Sequence, residues 1–261
     1  MSATSLTPAT ARRSVGEALL LAGACVFALV LIWVFAALVP ATHVRDAVAL
    51  YDFTRLDRHF VEVPAKVLLG LLEPEFFIVW GLVLVGIASS HGRLRVALGV
   101  ALVLGLAPLS AELLKPLAAH PHAQVAPLYI TSASWPSGHA TAATILAWCA
   151  VLVAPQALRR TVALLGVVFV LAVGCALLIL AWHMPSDVLG GYLLATLWFA
   201  LTLAALRASS PARIAQESLP AGPAACSPGD HRSSGSDPAW PIAPSLAARA
   251  RMNSMSESRL R

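Results

Sequence analysis

Polar and apolar positions in this chain alternate on the scale of whole helices rather than single turns. Nearly uncharged stretches of roughly 20 residues recur, long enough to cross a ~30 Å hydrocarbon core as helices. They predict spans at 17–39, 74–90, 94–116, 136–155, 159–182 and 185–206. Glu73-Pro74-Glu75 interrupts an apolar pattern that begins at Val67. Proline suits the first turn of a helix, so the second span is placed from Pro74, and Val67–Leu72 reads as a separate interfacial segment. The stretch 41–66 reads as a polar connecting loop. From Ala208 onward Ser, Pro, Ala, Gly and scattered Arg replace the apolar runs. Such a composition cannot bury enough surface to offset chain entropy. The expected architecture is an all-α polytopic membrane protein: a cytoplasmic N-terminus at 1–16, a six-span membrane domain at 17–207, and a disordered cytoplasmic tail at 208–261.

Composition agrees with this picture and excludes a soluble globular chain, with 58% hydrophobic and 12% charged residues. The apolar stretch from Ala18 to Val39 exceeds the ~7–15 residues of a signal-peptide core, so the first span reads as a retained anchor. Arginine sets the orientation. Arg12/Arg13, Arg93/Arg95, Arg159/Arg160, Arg207 and Arg213 mark the N-terminus, alternate connections and the C-terminus, whereas 117–135 and 183–187 hold no Lys or Arg. By the excess of positive charge on cytoplasmic segments, both termini fall inside. The stretch 41–66 runs against this with Arg45, Arg55, Arg58 and Lys66, although Asp46, Asp52, Asp57 and Glu62 lie among them. The other segments outvote it. The basic pI near 9.4 thus follows from topology rather than from a nucleic-acid surface. Cys25, Cys149 and Cys175 fall within spans and Cys226 in the tail, with neither a disulfide framework nor zinc spacing.

Two polar clusters interrupt the apolar pattern on the predicted outer side: Trp135-Pro136-Ser137-Gly138-His139 and His183-Met184-Pro185-Ser186-Asp187. Ordinary interfacial capping explains any one of these residues and explains the set poorly. Proline opening a helix leaves the amides of Ser137, Gly138 and His139 at the positive end of the helix dipole, an anion site that Gly138 opens to close approach. Ser137 adds a hydroxyl donor, and His139 can give a proton to a departing oxygen. His183 and Asp187 are four apart, so a helical turn places them on one side. A carboxylate accepting from one imidazole nitrogen leaves the other as a nucleophile. Lys115, one of only two lysines, ends an apolar span with Glu112 three residues before it. It reads either as a snorkelling cation paired with Glu112 or as a phosphate-binding cation that Glu112 holds in place.

These residues resemble the integral-membrane members of the type-2 phosphatidic acid phosphatase/vanadium haloperoxidase superfamily, the lipid phosphate phosphatase-like proteins. That family carries Lys with a following Arg, then Pro-Ser-Gly-His, then Ser-Arg with a downstream His-x-x-x-Asp. Pro136-Ser137-Gly138-His139 matches the second signature, His183 and Asp187 the end of the third, and Lys115 the start of the first; the likeness covers about residues 15–206. Two departures stand out. His120, with His122 close by, occupies the place of the first arginine, and Ala176-Leu177 the place of Ser-Arg. A guanidinium supplies a fixed fork and a permanent charge that neither histidine nor leucine reproduces.

The resemblance implies hydrolysis of a lipid phosphate or diphosphate at the extracytoplasmic face through a phosphohistidine. His183 attacks phosphorus, Asp187 supports it, and His139 protonates the leaving oxygen. Lys115, Ser137, Gly138 and His120 bind the phosphate. The scheme calls for no metal and no cofactor. Protonated His120 is expected to restore part of the missing charge, which predicts activity falling as pH rises through the histidine range. The expected partners are the lipid phosphate substrate and membrane lipids, with no nucleic acid and with oligomeric state open. The expected place is the cell membrane, multi-pass, a bacterial plasma membrane suiting so compact a chain. The main rival is a catalytically weak or inactive member that binds lipid phosphates without turnover. A transporter would need polar groups near mid-membrane; a metal site on His120, His122, His183 and Asp187 has suitable ligands but undiagnostic spacing; an intramembrane serine protease pairing Ser137 with His183 is weaker still. A haloperoxidase would share the anion pocket, but the enzymes it would resemble are soluble.

Overall fold

The computed structural model describes residues 8–57, 59–120 and 130–209, and among these every regular element is helical. Eight helices follow one another: α1 (Pro8–Leu38), α2 (Pro40–Thr54), α3 (His59–Gly70), α4 (Pro74–Ser90), α5 (Leu94–Leu117), α6 (Gly138–Val153), α7 (Arg159–Ile179) and α8 (Pro185–Ala208). The expected spans map onto α1 and α4 to α8. The 1–7 segment, the tail from 210, and the loop residues 121–129 with His122 lie outside the described residues.

Among the described residues, four helices are long and apolar enough to cross a membrane: α1 from Ser14, α5, α7 and α8. A fifth crossing arises where α3 and α4, bent by 57° at their junction, are taken as one broken span. Helix α6 is apolar but has only 16 residues. At 1.5 Å per residue it extends about 24 Å, short of a full hydrocarbon core.

One expectation is corrected. The stretch 41–66 is largely helical, forming α2 and most of α3. Pro40 opens α2 at a position where the missing N–H costs nothing. Ala47 and Leu50 then recur on one face and are buried in a cluster with Leu69, Leu72, Val173 and Leu177. The polar residues between them carried the loop reading, whereas the spacing of the apolar ones decides the structure.

Helix α6 is central, packed against α5, α7 and α8, and each residue from Ala140 to Ile145 is buried. Helix α1 lies along α8. Its buried Ala18, Ala22, Cys25 and Leu29 form a single stripe of mostly small side chains, which lets two backbones approach closely. Large apolar side chains such as Leu20, Phe27, Leu98, Leu102, Leu164 and Val168 face outward. Water would penalise such a surface and lipid would not.

The two ends of the bundle differ in chemistry. At one end Arg93 donates to the carbonyls of Leu152 and Val153, which the end of α6 leaves unsatisfied. Arg207 donates to Ser14 O, and Arg95 to Ser209 O, tying the start of α1 and the end of α8 into the same arginine-rich end. At the other end Trp33 Nε1 donates to Ala118 O at 3.0 Å, and there the two polar clusters meet.

Candidate active site

Helix α7 ends in a tight reversal that delivers His183. Trp182 N–H donates to Leu177 O and Ala181 N–H to Leu178 O, with Ala181 at φ 53°, the left-handed conformation that usually falls to glycine. Met184 then caps α8, with Pro185 in its first turn. Asp187, three residues past the cap, accepts the Met184 N–H on Oδ2 at 3.0 Å. The same oxygen faces His183 Nδ1 at 3.4 Å. Asp187 is fully buried and its Oδ1 has no hydrogen-bond partner. With Nδ1 turned to the carboxylate, Nε2 of His183 is the nitrogen left for chemistry.

The second cluster docks directly on the first. Ser137 N–H donates to Asp187 O at 3.0 Å, so the starts of α6 and α8 are joined backbone to backbone. This corrects the reading of the Ser137 amide as an open donor. Ser137 is the N-cap of α6, fully buried, with its hydroxyl oxygen accepting Ala140 N–H at 3.3 Å. The amides of Gly138 and His139 remain as first-turn groups with no carbonyl behind them in the helix. Gly191 makes this junction fit: a Cβ there would lie 2.6 Å from Ser137 O and 2.8 Å from Ala140 Cβ.

Lys115, at the end of α5, completes the arrangement. Its Nζ lies 2.7 Å from Glu112 Oε1. A Cβ on Gly138 would meet that carboxylate oxygen at 2.7 Å and the ammonium at 3.9 Å, so both charges stand over the glycine. His139 lies within electrostatic reach of His183, Lys115 and Glu112, and its ring meets Trp182 edge-on at 5.8 Å between centroids. Lys115, Ser137, Gly138, His139, His183 and Asp187, contributed by α5, α6 and the α7–α8 turn, therefore gather at one end. The set pairs an imidazole supported by a carboxylate with a second imidazole, a cation and helix-start amides. It suits attack on an anionic centre with protonation of a leaving oxygen.

His120 stands toward a different neighbour. It is buried, with Nδ1 3.0 Å from Ala118 O and its backbone N–H donating to Ser132 O. Its ring lies 6.4 Å from that of His43 on α2, and it interacts electrostatically with Asp46. Ala176 and Leu177 are buried in the apolar cluster.

Asp46 was missed from sequence because it lay in the supposed loop. It accepts from both the backbone N–H and the hydroxyl of Ser186, at 3.2 and 2.6 Å. Burial pushes its carboxyl above the usual carboxylate range, the two hydrogen bonds from Ser186 oppose that rise, and Asp187 adds to it. The signal was present: Pro40 as a helix start, and Ala47 and Leu50 three apart with Asp46 beside them.

Apolar helices long enough to cross a membrane, with an imidazole–carboxylate pair and a helix start gathered at one end, define a helical membrane protein with a polar site at one face. Residues 18–210 match the PAP2 superfamily, and the chain belongs to it. The fold is similar to that of the transmembrane PAP2-type phosphatidylglycerolphosphate phosphatase from Bacillus subtilis, at a TM-score of 0.64 and 20% identity over 73% of this chain and 98% of that one. No curated protein sequence matches the chain.

Proposed function

We infer that this chain hydrolyses a lipid phosphate or diphosphate at the extracytoplasmic end of a six-span bundle. On this reading the six crossings are α1, the α3–α4 pair, α5, α6 lengthened by its flanking residues 135–137 and 154–155, α7 and α8, and the arginine-rich end that holds both ends of the described chain is cytoplasmic by its charge. The reading rests above all on the joining of two separate clusters by the Ser137 N–H to Asp187 O bond, which sets His139 and His183 against one anion cradle.

In the first step His183 Nε2 attacks phosphorus, the P–N bond forms as the bond to the leaving oxygen breaks, and His139 gives that oxygen its proton. Asp187 holds Nδ1 and offsets the positive charge on the imidazole. In the second step His139 takes a proton from water, whose oxygen attacks phosphorus. The P–N bond breaks, phosphate leaves and His183 is restored. Lys115 and the Gly138 amide stabilise charge on the phosphoryl oxygens, with Ser137 holding the start of α6. Apolar walls and a polar end suit an amphiphile whose tail stays in lipid while its phosphate reaches water.

One observation favours a binding protein that turns over slowly. Ala176 and Leu177, in the place of the family's Ser-Arg, point into the apolar cluster and contribute no charge. Phosphate release decides between the two. Purified full-length protein is offered polyprenyl pyrophosphate, polyprenyl phosphate, phosphatidic acid and phosphatidylglycerolphosphate at pH 5–8, beside His183→Ala. Release that vanishes in the variant supports the phosphatase. Binding of the lipids without release above the variant supports the binder.

A further inference from the structure

Helix α2 brings a second carboxylate to the start of α8 from 140 residues away. With Ala47 and Leu50 buried beneath it, α2 sets Asp46 against Ser186. Ser186 N–H belongs to the first turn of α8, where no carbonyl within the helix can accept it. Asp46 Oδ1 takes that N–H at 3.2 Å, and Oδ2 takes the Ser186 hydroxyl at 2.6 Å. The next residue is Asp187, whose only contact toward His183 is a long 3.4 Å approach. A turn of helix that must aim a fully buried carboxylate at an imidazole is thus gripped from outside at the adjacent residue.

We propose that Asp46 is a positioning residue of the site, pinning the first turn of α8 so that Asp187 meets His183 Nδ1 and leaves Nε2 toward the phosphoryl group. Asp46 does not touch substrate. It acts through Ser186, then Asp187, then His183, and its effect on turnover rests on the phosphatase reading while its effect on His183 does not.

Substitution chemistry separates hydrogen bonding from charge. In Asp46→Asn the amide oxygen still accepts Ser186 N–H, and the amide NH2 can donate to the Ser186 hydroxyl, which accepts as readily as it donates. Asp46→Ala keeps neither contact. The test uses full-length protein in detergent with 15N-histidine, the His183 ring signals being identified by their loss in His183→Gln. Asp46→Ala is expected to shift those signals in the direction that Asp187→Asn shifts them, whereas Asp46→Asn leaves them in place.

On the lipid phosphate that the wild type turns over best, Asp46→Ala is expected to lower kcat about 10- to 100-fold, the range of a sub-ångström to 1 Å misplacement. KM should stay within about threefold, and Asp46→Asn should recover most of the loss. Unchanged His183 signals in Asp46→Ala overturn the proposal. So does Asp46→Asn behaving like Asp46→Ala, or a rise in KM at constant kcat. Should Asp46→Ala fail to fold, Ser186→Ala removes only the hydroxyl contact and must still produce a smaller shift of the same sign; no shift there overturns the proposal too. A wild type that releases no phosphate defeats the phosphatase reading alone, since the His183 spectra are read without turnover.

Discussion

Replacing Gly191 by alanine tests whether the α6–α8 junction sets the chemistry. The new methyl would lie 2.6 Å from Ser137 O, 2.8 Å from Ala140 Cβ and 3.0 Å from Thr141 N. Two of these neighbours are backbone atoms within the first turn of α6, so no side chain can swing aside to make room. Restoring ordinary contact at 3.4 Å requires the helices to part by about 0.8 Å. Overpacking of this kind costs about 1–3 kcal/mol. For a chain of this size that lowers Tm by roughly 2–4 °C per kcal/mol, provided unfolding in detergent is cooperative. The same displacement carries Ser137 away from Asp187 and His139 away from His183, and a shift approaching 1 Å costs up to ~100-fold in rate. Gly138→Ala is the control. Its methyl would strike Glu112 Oε1 at 2.7 Å, the tip of a side chain 58% exposed that can rotate away. It should leave Tm within about a degree while reducing kcat/KM, because the methyl fills the approach to the helix-start amides. Tryptophan-fluorescence melting and phosphate release on both variants make the comparison. A Gly191→Ala protein that melts with the wild type and keeps its turnover would refute the claim that this contact holds the two clusters in register.

Further expectations follow from individual residues. On the proposed mechanism His183→Ala removes the nucleophile, and phosphate release should fall by about three orders of magnitude or more, with none of the phosphoenzyme that an alkaline quench, which preserves a P–N bond, traps in the wild type. Lys115→Ala deletes a charge-assisted contact worth about 1.5–3 kcal/mol, so kcat/KM should drop about 10- to 100-fold while far-UV circular dichroism is unchanged. Ala181→Gly relieves a left-handed alanine that costs about 1–2 kcal/mol, and should raise the melting temperature by a few degrees.

Much of the bundle was legible because a membrane-spanning helix announces itself by length and apolarity alone. The bounds of α4, at Pro74–Ser90, coincide with the predicted span, and α5, at Leu94–Leu117, differs by one residue. That Lys115, His139, His183 and Asp187 share one end was legible because they are polar residues stranded at the edges of such runs, with Gly138 set beside His139 at the start of α6. Helix α2 was not, because its two buried positions, Ala47 and Leu50, give a short stripe that a window tuned to spans averages away. Asp46 was lost with it. The use of Ser137 N–H on Asp187 O was also beyond reach: it depends on how closely α6 and α8 approach, which Gly191 permits but no local pattern encodes.

The bond from Ser137 to Asp187 has a consequence for biosynthesis. Part of the site lies at the end of α5 and the start of α6, and part in the α7–α8 turn and the start of α8, the last helix described. On the proposed mechanism, a chain folded only through α7 holds His139 and the start of α6 but lacks Asp187 and the bond that joins the two clusters. Under that reading, competence is expected only once α8 docks on α6. A chain stopped before α8 is then expected to release no phosphate from the lipids around it.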